Sequence, residues 1–201
     1  DCQRWGKASN QATRIASIKS FMQAREEWIT ANIGSFSVCS SVIVPQLTIT
    51  KIMYHPQATT QFPDGDELEF LEIRNTGGTT VNLSGIYFTG TGLVYQFPAN
   101  STLGAGSCVI LASNATIFQA KYGFAPFGEF TRQLSNSGEE LFLADAFGNQ
   151  VDFVAYSDKS PWPDADGNGY YLKLAGLTLD NSLPESWIAS GDLITSVDAP
   201  A

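Results

Sequence analysis

The sequence predicts an all-β domain, an antiparallel sandwich or barrel, preceded by one long amphipathic α-helix. Two observations lead to this division. Near the start of the chain, from Ile15 to Ile33, apolar residues recur at helical spacing. From Leu47 onward, short β-branched and aromatic runs alternate with turns rich in Gly, Asn and Asp. The rhythm of a parallel sheet, in which strands alternate with helices, does not occur in the sequence.

The predicted helix lies within "NQATRIASIKSFMQAREEWITANIG". Ser9 or Asn10 can cap its start, and Gly34 can end it. Its polar face is not strongly basic, so we expect the apolar stripe to pack against a neighbouring domain rather than a membrane surface. The residues of the stripe are Ile15, Ile18, Phe21, Met22, Trp28, Ile29 and Ile33.

Pro45 marks the boundary between two parts of the chain. Residues 1–45 are expected to form the helix and a linker, as the tail of an upstream domain, and residues 46–201 the β domain. Runs such as "LTITKIMY", "EELFLAD" and "QVDFVAYS" predict strands, and "DAFGNQ" between the last two predicts a hairpin. One helix is expected among the strands, capped by Ser113 and ended by Gly123.

Composition and charge argue against several classes of protein. Hydrophobic residues make up 43% of the 201 residues and charged residues 15%, which does not fit a disordered tail. The net charge is −9, and residues 46–201 hold six Lys/Arg against seventeen Asp/Glu, which argues against a nucleic-acid partner. No apolar run approaches the roughly 20 residues of a membrane span. The acidic strands, rich in Thr, Ser and Asn, suit a secreted protein.

Three cysteines, Cys2, Cys39 and Cys108, allow at most one internal disulfide bond. Cys2 and Cys39 flank the predicted helix, and a bond between them requires both flanks to fold back along it. The sequence has no CxxC motif, so a zinc site built from thiolates is not expected. Cys108, in "GSCVILAS", is expected to be a small buried apolar residue.

The sequence contains no recognisable catalytic constellation. Its single histidine, His55, precedes Pro56 and is expected in a loop at a strand end, with no nucleophile placed beside it. In an extended "ELEFLEI", Glu67 and Glu69 would project to one face, and Glu72 to the other unless a bulge intervenes. These carboxyl groups leave a general acid–base pair open, but we expect a non-enzyme.

The stretch "WPDADGNGYYLKL" carries the most suggestive chemistry in the chain. Asp164, Asp166 and Asn168 alternate with small residues, as in the first half of a calcium loop, and calcium takes roughly six to eight oxygen ligands. Ala175 stands where an EF-hand has its closing Glu, so further ligands would have to come from elsewhere. The candidates for this second set are Asp64, Asp66 and Glu67 in "PDGDELE".

The alternative for this stretch is a plain hairpin turn, because Asp-Gly and Asn-Gly are preferred where the backbone takes a positive φ. Calcium is therefore a candidate cofactor but not a required one.

Four aromatic residues near the end of the chain offer a further interpretation. They are Trp162, Tyr170, Tyr171 and Trp187. Exposed aromatic rings can stack on sugar rings, so these residues would suit a carbohydrate-binding module. The alternative is that they close one end of the β domain.

Several motifs in series resemble the bacterial lamin tail domain. They include "LTITKIMYHP", "DELEFLEIRNTGGTTVNLSGIYFTG", "LSNSGEELFLADAFGNQVDFVAYSDKSPWPDADGNGYYLKL" and "LDNSLPESWIAS", and the resemblance covers roughly Gln46 to Ala199. The resemblance implies an immunoglobulin-like antiparallel β-sandwich. It also implies a non-catalytic accessory or interaction module of a larger secreted or cell-envelope bacterial protein, with protein or surface attachment as its role. The attachment role is inferred only by analogy with other proteins of this fold.

The helical stretch "IASIKSFMQAREEWITANIG" is similar to the closing helix of spore-coat-type (CotH-like) kinase domains. This similarity implies an alternative function, the C-terminal portion of an atypical protein kinase. In either case we expect an extracellular or cell-envelope location. The expected partner is a protein, a cell-surface ligand or the upstream domain of the same chain.

Overall fold

The computed structural model describes residues 8–33, 43–90, 92–192 and 194, and in the first helix it describes the side chains of residues 13–27. The chain divides into two compact units, Asp1–Ile43 and Val44–Ala201, next to the boundary predicted at Pro45. Some predicted features lie outside the described residues, namely Cys2, Cys39 and the side chains of Trp28, Ile29 and Ile33.

The first unit contains the predicted helix, α1 (Ala8–Ile33). Ile18, Phe21 and Met22 of its apolar stripe are 60–65% exposed. The packing of this stripe against a neighbouring surface therefore stays a prediction. No helix in the described part of the chain is long and apolar enough to cross a membrane.

The second unit is built from short strands and one helix. In chain order the strands are β1 (Leu47–Met53), β2 (Phe70–Asn75), β3 (Val81–Asn82), β4 (Tyr87–Thr89), β5 (Thr102–Leu103), β6 (Cys108–Ala112), β7 (Gly128–Glu129), β8 (Gly138–Ala144), β9 (Gln150–Ser157), β10 (Tyr171–Leu174) and β11 (Trp187–Ser190). The helix, α2 (Ala115–Tyr122), follows β6.

The strands form a β-sandwich of the immunoglobulin-like kind, as predicted. The larger sheet has the order β11-β10-β1-β2-β6-β7, and all its pairs are antiparallel except β6 with β7. The opposite layer contains a three-stranded sheet, β4-β8-β9, and the short pair β3-β5. Fully buried residues of both layers meet in one core, among them Ile49, Leu71, Leu143, Val154 and Leu172.

The hairpin predicted at "DAFGNQ" joins β8 to β9. The Asp145 carboxylate closes it, because Oδ1 accepts hydrogen bonds from the backbone N–H groups of Phe147 (2.9 Å) and Asn149 (2.8 Å). Gly148 has a φ of 86°, a conformation that glycine adopts without strain. The local turn chemistry of the sequence therefore specifies this connection.

The helix predicted after β6 is also present. Gly123 ends it with a φ of 83°, as predicted, but the predicted cap at Ser113 is wrong by one residue. Asn114 is the cap, because its side chain accepts a hydrogen bond from the N–H of Ile117 at 3.1 Å. The Ser113 hydroxyl instead donates to the carbonyl oxygen of Asp66 at 2.6 Å, which ties the start of α2 to a short 3-10 turn, Asp66–Leu68.

α2 covers part of the outer face of the six-stranded sheet. Phe118 of the helix packs edge to face on Phe70 of β2, with ring centroids 5.8 Å apart. Met53, Ile110 and Ile194 complete a second apolar cluster there. The rest of the outer face carries charged side chains.

A buried polar group joins the layers at the bulge of β1, where the pairing with β2 shifts between Ile49 and Lys51. Asp152 of β9 accepts a hydrogen bond from the N–H of Ile49 at 2.6 Å through Oδ2. The Asn181 side chain donates to the same Oδ2 at 2.8 Å and to the carbonyl oxygen of Ile49 at 3.2 Å. Burial raises the pKa of Asp152, and these hydrogen bonds oppose that rise.

Candidate functional site

The candidate calcium loop is closed by its own hydrogen bonds. The Asp164 Oδ1 atom accepts from the backbone N–H of Asp166 (3.5 Å) and from the Asn168 side chain (3.2 Å). The Asn168 Oδ1 atom accepts from the N–H of Tyr170 at 3.1 Å. Gly167 has a φ of 67°, which suits a tight turn, but the predicted hairpin is wrong, because β9 and β10 on either side of the loop belong to different sheets. The oxygens predicted as ligands are thus also the oxygens that build the turn.

His55 lies against this loop, which the sequence did not predict. Its Nδ1 atom is 2.5 Å from Asp166 Oδ1, and its carbonyl oxygen accepts a hydrogen bond from the N–H of Gly167 at 3.1 Å. Both side chains of the pair are about two-fifths exposed. In the described part of the chain, no Ser or Cys side chain is hydrogen-bonded to His55, so the pair does not form a nucleophilic triad.

The second candidate set of ligands faces the start of α2. Asp64 Oδ1 accepts from the backbone N–H of Asp66 at 3.1 Å, and Glu67 Oε1 accepts from the Asn114 side chain at 3.3 Å. Across the described residues, no three His, Cys, Asp or Glu side chains are grouped so that they could hold a metal ion. Calcium binding by Asp164, Asp166 and Asn168, with further ligands from Asp64, Asp66 and Glu67, stays a prediction.

The aromatic residues that suggested a sugar-binding platform lie mostly in the core. Trp162, Tyr171 and Trp187 are 3–9% exposed, and only Tyr170 is largely accessible, at 47%. The two Trp rings pack 6.0 Å apart, and Trp187 Nε1 donates to the carbonyl oxygen of Asn181 at 2.8 Å. A stacking platform built from these four residues is therefore ruled out: the two Trp rings pack in the main core, and Tyr171 packs in the second cluster on the outer face of the larger sheet.

The predicted pairing of Glu67 and Glu69 on one extended face is wrong, because residues Asp66–Leu68 form a 3-10 turn. Glu69 is fully buried, and its Oε2 atom accepts from the backbone N–H of Leu134 at 2.9 Å. Its Oε1 atom has no hydrogen-bond partner. Burial raises the pKa of Glu69 to about 8, so the carboxyl group is mostly neutral at pH 7.

Two tyrosines lie close to this carboxyl group in the core. The rings of Tyr54 and Tyr156 are 4.9 Å apart, and the Tyr156 hydroxyl group donates to the carbonyl oxygen of Ser135 at 2.8 Å. Burial raises the pKa of Tyr54 to about 12, and it raises the pKa of Glu139 beside Tyr156 as well. Tyr54, Tyr156 and Glu69 are thus buried in the core, whereas Glu139 is only partly buried.

A row of side chains crosses the outer face of the six-stranded sheet, from its open part to the apolar cluster beneath α2. The row consists of successive cross-strand partners on β11, β10, β1, β2 and β6, namely Ile188, Lys173, Lys51, Glu72 and Ile110. Directly paired residues of antiparallel strands project to the same face, so the row sets two lysines side by side. Like charges in this arrangement are destabilising unless carboxylates balance them.

Glu72 balances one end of this lysine pair. The Glu72 side chain is 1% exposed. The Lys51 ammonium lies 2.7 Å from Glu72 Oε2, and the two form an ion pair whose geometry is not that of a hydrogen bond. The Thr50 hydroxyl donates to Oε1 at 2.6 Å, and Arg74 Nη2 lies 3.5 Å from the same oxygen. The β1 bulge brings Thr50 and Lys51 to Glu72 together. One buried carboxylate thus faces two cations.

Asp192 balances the other end of the pair. The Lys173 ammonium donates to Asp192 Oδ2 at 2.7 Å, with the two side chains 37% and 65% exposed. This hydrogen bond raises the pKa of Lys173, whereas the nearby Lys51 charge opposes the rise. It also lowers the pKa of Asp192. Unlike Glu72, Asp192 follows the last strand and is in contact with solvent.

These groups line an open depression of about 390 Å³, which we call the basic depression. Its lining residues include Thr50, Lys51, Glu72, Arg74, Lys173 and Asp192. Three of the six Lys and Arg residues of the second unit lie here, although that unit is strongly acidic. Cations are thus concentrated at one place on an otherwise negative surface, which favours a negatively charged ligand.

Sequence reasoning did not find the basic depression. One signal was present: single charged residues interrupt three apolar runs, Lys51 in "LTITKIMY", Glu72 in "EFLEI" and Lys173 in "YYLKL". That these three charges face one another depends on the pairing of β10 with β1, which the sequence pattern does not specify.

Fold and site together define an immunoglobulin-like β-sandwich with a group of cations in an open depression on the outer face of its larger sheet. A comparison with family models identifies the family within this fold class. The model of the Lamin Tail Domain matches residues 44–158, more than half of the chain, and the chain belongs to the lamin tail domain family. Helix α1 lies outside the match, so the similarity to CotH-like kinases is not confirmed.

Comparisons with curated proteins and with solved structures add little to the family assignment. No curated protein matches the chain. Among solved structures, the chain is similar to a DUF4876 family protein from Bacteroides thetaiotaomicron. The two are 15% identical, the similarity covers 78% of this chain and 70% of that chain, and the TM-score is 0.47.

Proposed function

We propose that the chain is a non-catalytic interaction module that attaches a larger secreted or cell-envelope protein to a protein on the cell surface. The basic depression is the observation that carries this proposal. Three cations converge on one face of an acidic domain, at an open depression to which Lys173 and Arg74 are partly exposed, while Lys51 is nearly buried against Glu72. Such an arrangement suits recognition of a ligand rather than chemical change of one.

Family membership and the nature of the titratable groups support a non-catalytic role. Lamin tail domains are immunoglobulin-like modules, and the resemblance in sequence led to the same expectation. The groups of the second unit with the most strongly raised pKa, Glu69 and Tyr156, lie at 0% and 3% exposure in the core. A substrate could not reach them without unfolding of the sandwich.

Attachment can be tested with a fusion of residues 1–201 to a fluorescent protein. The fusion is added to intact cells of the source organism, and the fluorescence that remains after washing is compared with that of the fluorescent protein alone. We expect retention of the fusion and its loss after the cells are treated with protease. Equal retention of both proteins would contradict the proposal. Loss after treatment with glycosidase, but not protease, would support a carbohydrate ligand instead.

Two variants of the fusion show whether the basic depression is the surface used. Lys173→Met removes a cation of the depression, and Lys159→Met removes an exposed cation outside it. We expect retention to fall for the first variant only. If both variants are retained like the parent fusion, attachment stands but uses another surface.

A further inference from the structure

The lysine pair at the centre of the basic depression has unequal counter-ions. Glu72 is fixed in the sheet, with Thr50 and Lys51 held against it. Asp192 lies beyond the end of β11, and besides Lys173 it is held by its own N–H, which donates to Ser190 Oγ at 3.2 Å. An ion pair this exposed is weak, because water and salt screen it. A second carboxylate can therefore replace Asp192 at little cost.

We propose that the basic depression binds an acidic residue of the partner polypeptide, whose carboxylate displaces Asp192 and takes its place on Lys173, next to the nearly buried Lys51. Asp192 is then an internal stand-in that marks where the partner's carboxylate lies. This proposal deepens the proposed function and rests on it for the identity of the ligand as a protein.

The contact that Asp192 makes indicates a carboxylate as the ligand, because its Oδ2 atom accepts a hydrogen bond from the Lys173 ammonium at 2.7 Å. Lys51, Arg74 and Lys173 supply three positive charges, and Glu72 and Asp192 supply two negative charges. When Asp192 is displaced, a surplus of about two positive charges faces the ligand, and the buried Glu72 stays beside it. This surplus attracts an anion of either kind, so the experiment compares a peptide carboxylate with inorganic phosphate.

The rim of the depression indicates what flanks the acidic residue. Ile188, directly opposite Lys173 on β11, is 47% exposed, and Leu177, which lines the depression, is 53% exposed. These apolar groups lie beside the cations and can pack against aliphatic side chains next to the acidic residue. The ligand that fits is therefore a short acidic segment flanked by aliphatic residues.

The test uses residues 1–201 and two blocked pentapeptides, acetyl-Ala-Leu-Asp-Leu-Ala-amide and the same peptide with Asn in place of Asp. Binding is followed by NMR through the side-chain signals of Lys173 and Lys51, with Lys159 as the internal control. We expect the Asp peptide to bind in the roughly millimolar range and to shift the first two signals but not the third. Equal binding of both peptides would overturn the proposal.

Removal of the internal stand-in provides the decisive comparison. Asp192→Asn keeps the shape of the side chain but removes its charge, so the Asp peptide should bind about two- to five-fold more tightly than to the wild type. Lys173→Met should weaken binding by a similar factor, and Lys159→Met should leave it unchanged. An unchanged affinity in Asp192→Asn, or tighter binding of inorganic phosphate than of the Asp peptide, would refute the assignment.

The two sets of experiments can fail separately. Fusions that are retained on cells while neither pentapeptide binds would leave the attachment module standing and remove the carboxylate site. Binding of the Asp peptide by a chain that is not retained on cells would remove the attachment role but not the site.

Discussion

The buried Glu69 should make the free energy of unfolding depend on pH. Its pKa is raised from 4.5 to about 8, chiefly by burial, while the N–H of Leu134 opposes the rise. In the unfolded chain the carboxyl group ionises near its ordinary pKa. Stability is therefore complete below about pH 4.5 and is lost as the pH rises toward 8, because the unfolded state releases its proton first.

The size of this effect follows from the shift. Each pKa unit corresponds to about 1.4 kcal/mol, so the loss attributable to Glu69 should be about 3 kcal/mol at pH 7 and reach at most about 5 kcal/mol above pH 8. Glu69→Gln keeps an oxygen that accepts from Leu134 and removes the ionisation. Its buried amide adds a cost of roughly 1–3 kcal/mol that does not vary with pH.

The assay is urea unfolding of the wild type and Glu69→Gln at several pH values between 5 and 9. We expect the variant to gain stability relative to the wild type by several kcal/mol across this range. The matched control is Glu140→Gln, which changes an exposed carboxylate on β8 and should follow the wild type. If the wild type and Glu69→Gln run parallel from pH 5 to 9, the reasoning about burial is refuted.

Three further predictions concern side chains that hold the fold together. Asn75→Ala should lower the free energy of unfolding in urea by roughly 2–4 kcal/mol. The buried Asn75 amide donates to the carbonyl oxygens of Thr79 (2.8 Å), Leu103 (3.0 Å) and Gly104 (3.0 Å), which would lose their donor. A loss below about 1 kcal/mol would contradict this. Asn181→Ala should cost roughly 2–3 kcal/mol by the same measurement, since it leaves the Asp152 carboxylate with fewer donors; no loss of stability would mean that water replaces the amide. Millimolar calcium should raise the thermal midpoint of the wild type by an amount worth about 1 kcal/mol and leave Asp166→Ala unchanged; identical midpoints with calcium and with a chelator would identify a plain turn.

Local signals in the sequence predicted much of the fold. The strand runs, the hairpin closed by Asp145 and the end of α2 at Gly123 each depend on neighbouring residues, so the pattern alone could identify them. The cap of α2 was assigned to the wrong residue, because Ser113 and Asn114 are both good caps. A contact with the 3-10 turn decides which of the two residues caps the helix, since the Ser113 hydroxyl donates to the carbonyl oxygen of Asp66.

The site was harder to predict because it depends on pairing between distant strands. Lys51 and Lys173 face each other only because β10 lies beside β1. Glu67 and Glu69 were expected on one face, and a single 3-10 turn separated them. The aromatic residues show the same limit, since composition does not distinguish a Trp in the core, such as Trp187, from one on the surface.

The central place of β1 in the six-stranded sheet bears on how the chain folds as it is synthesised. β1 leaves the ribosome well before its partner on one side, β10, which is about 120 residues further along, as the pair Lys51 and Lys173 shows. At roughly 5–20 residues per second, one edge of β1 stays unpaired for about 6–24 s. During that time the exposed edge can pair with other chains, so a chain truncated after residue 158 should aggregate where residues 1–201 do not.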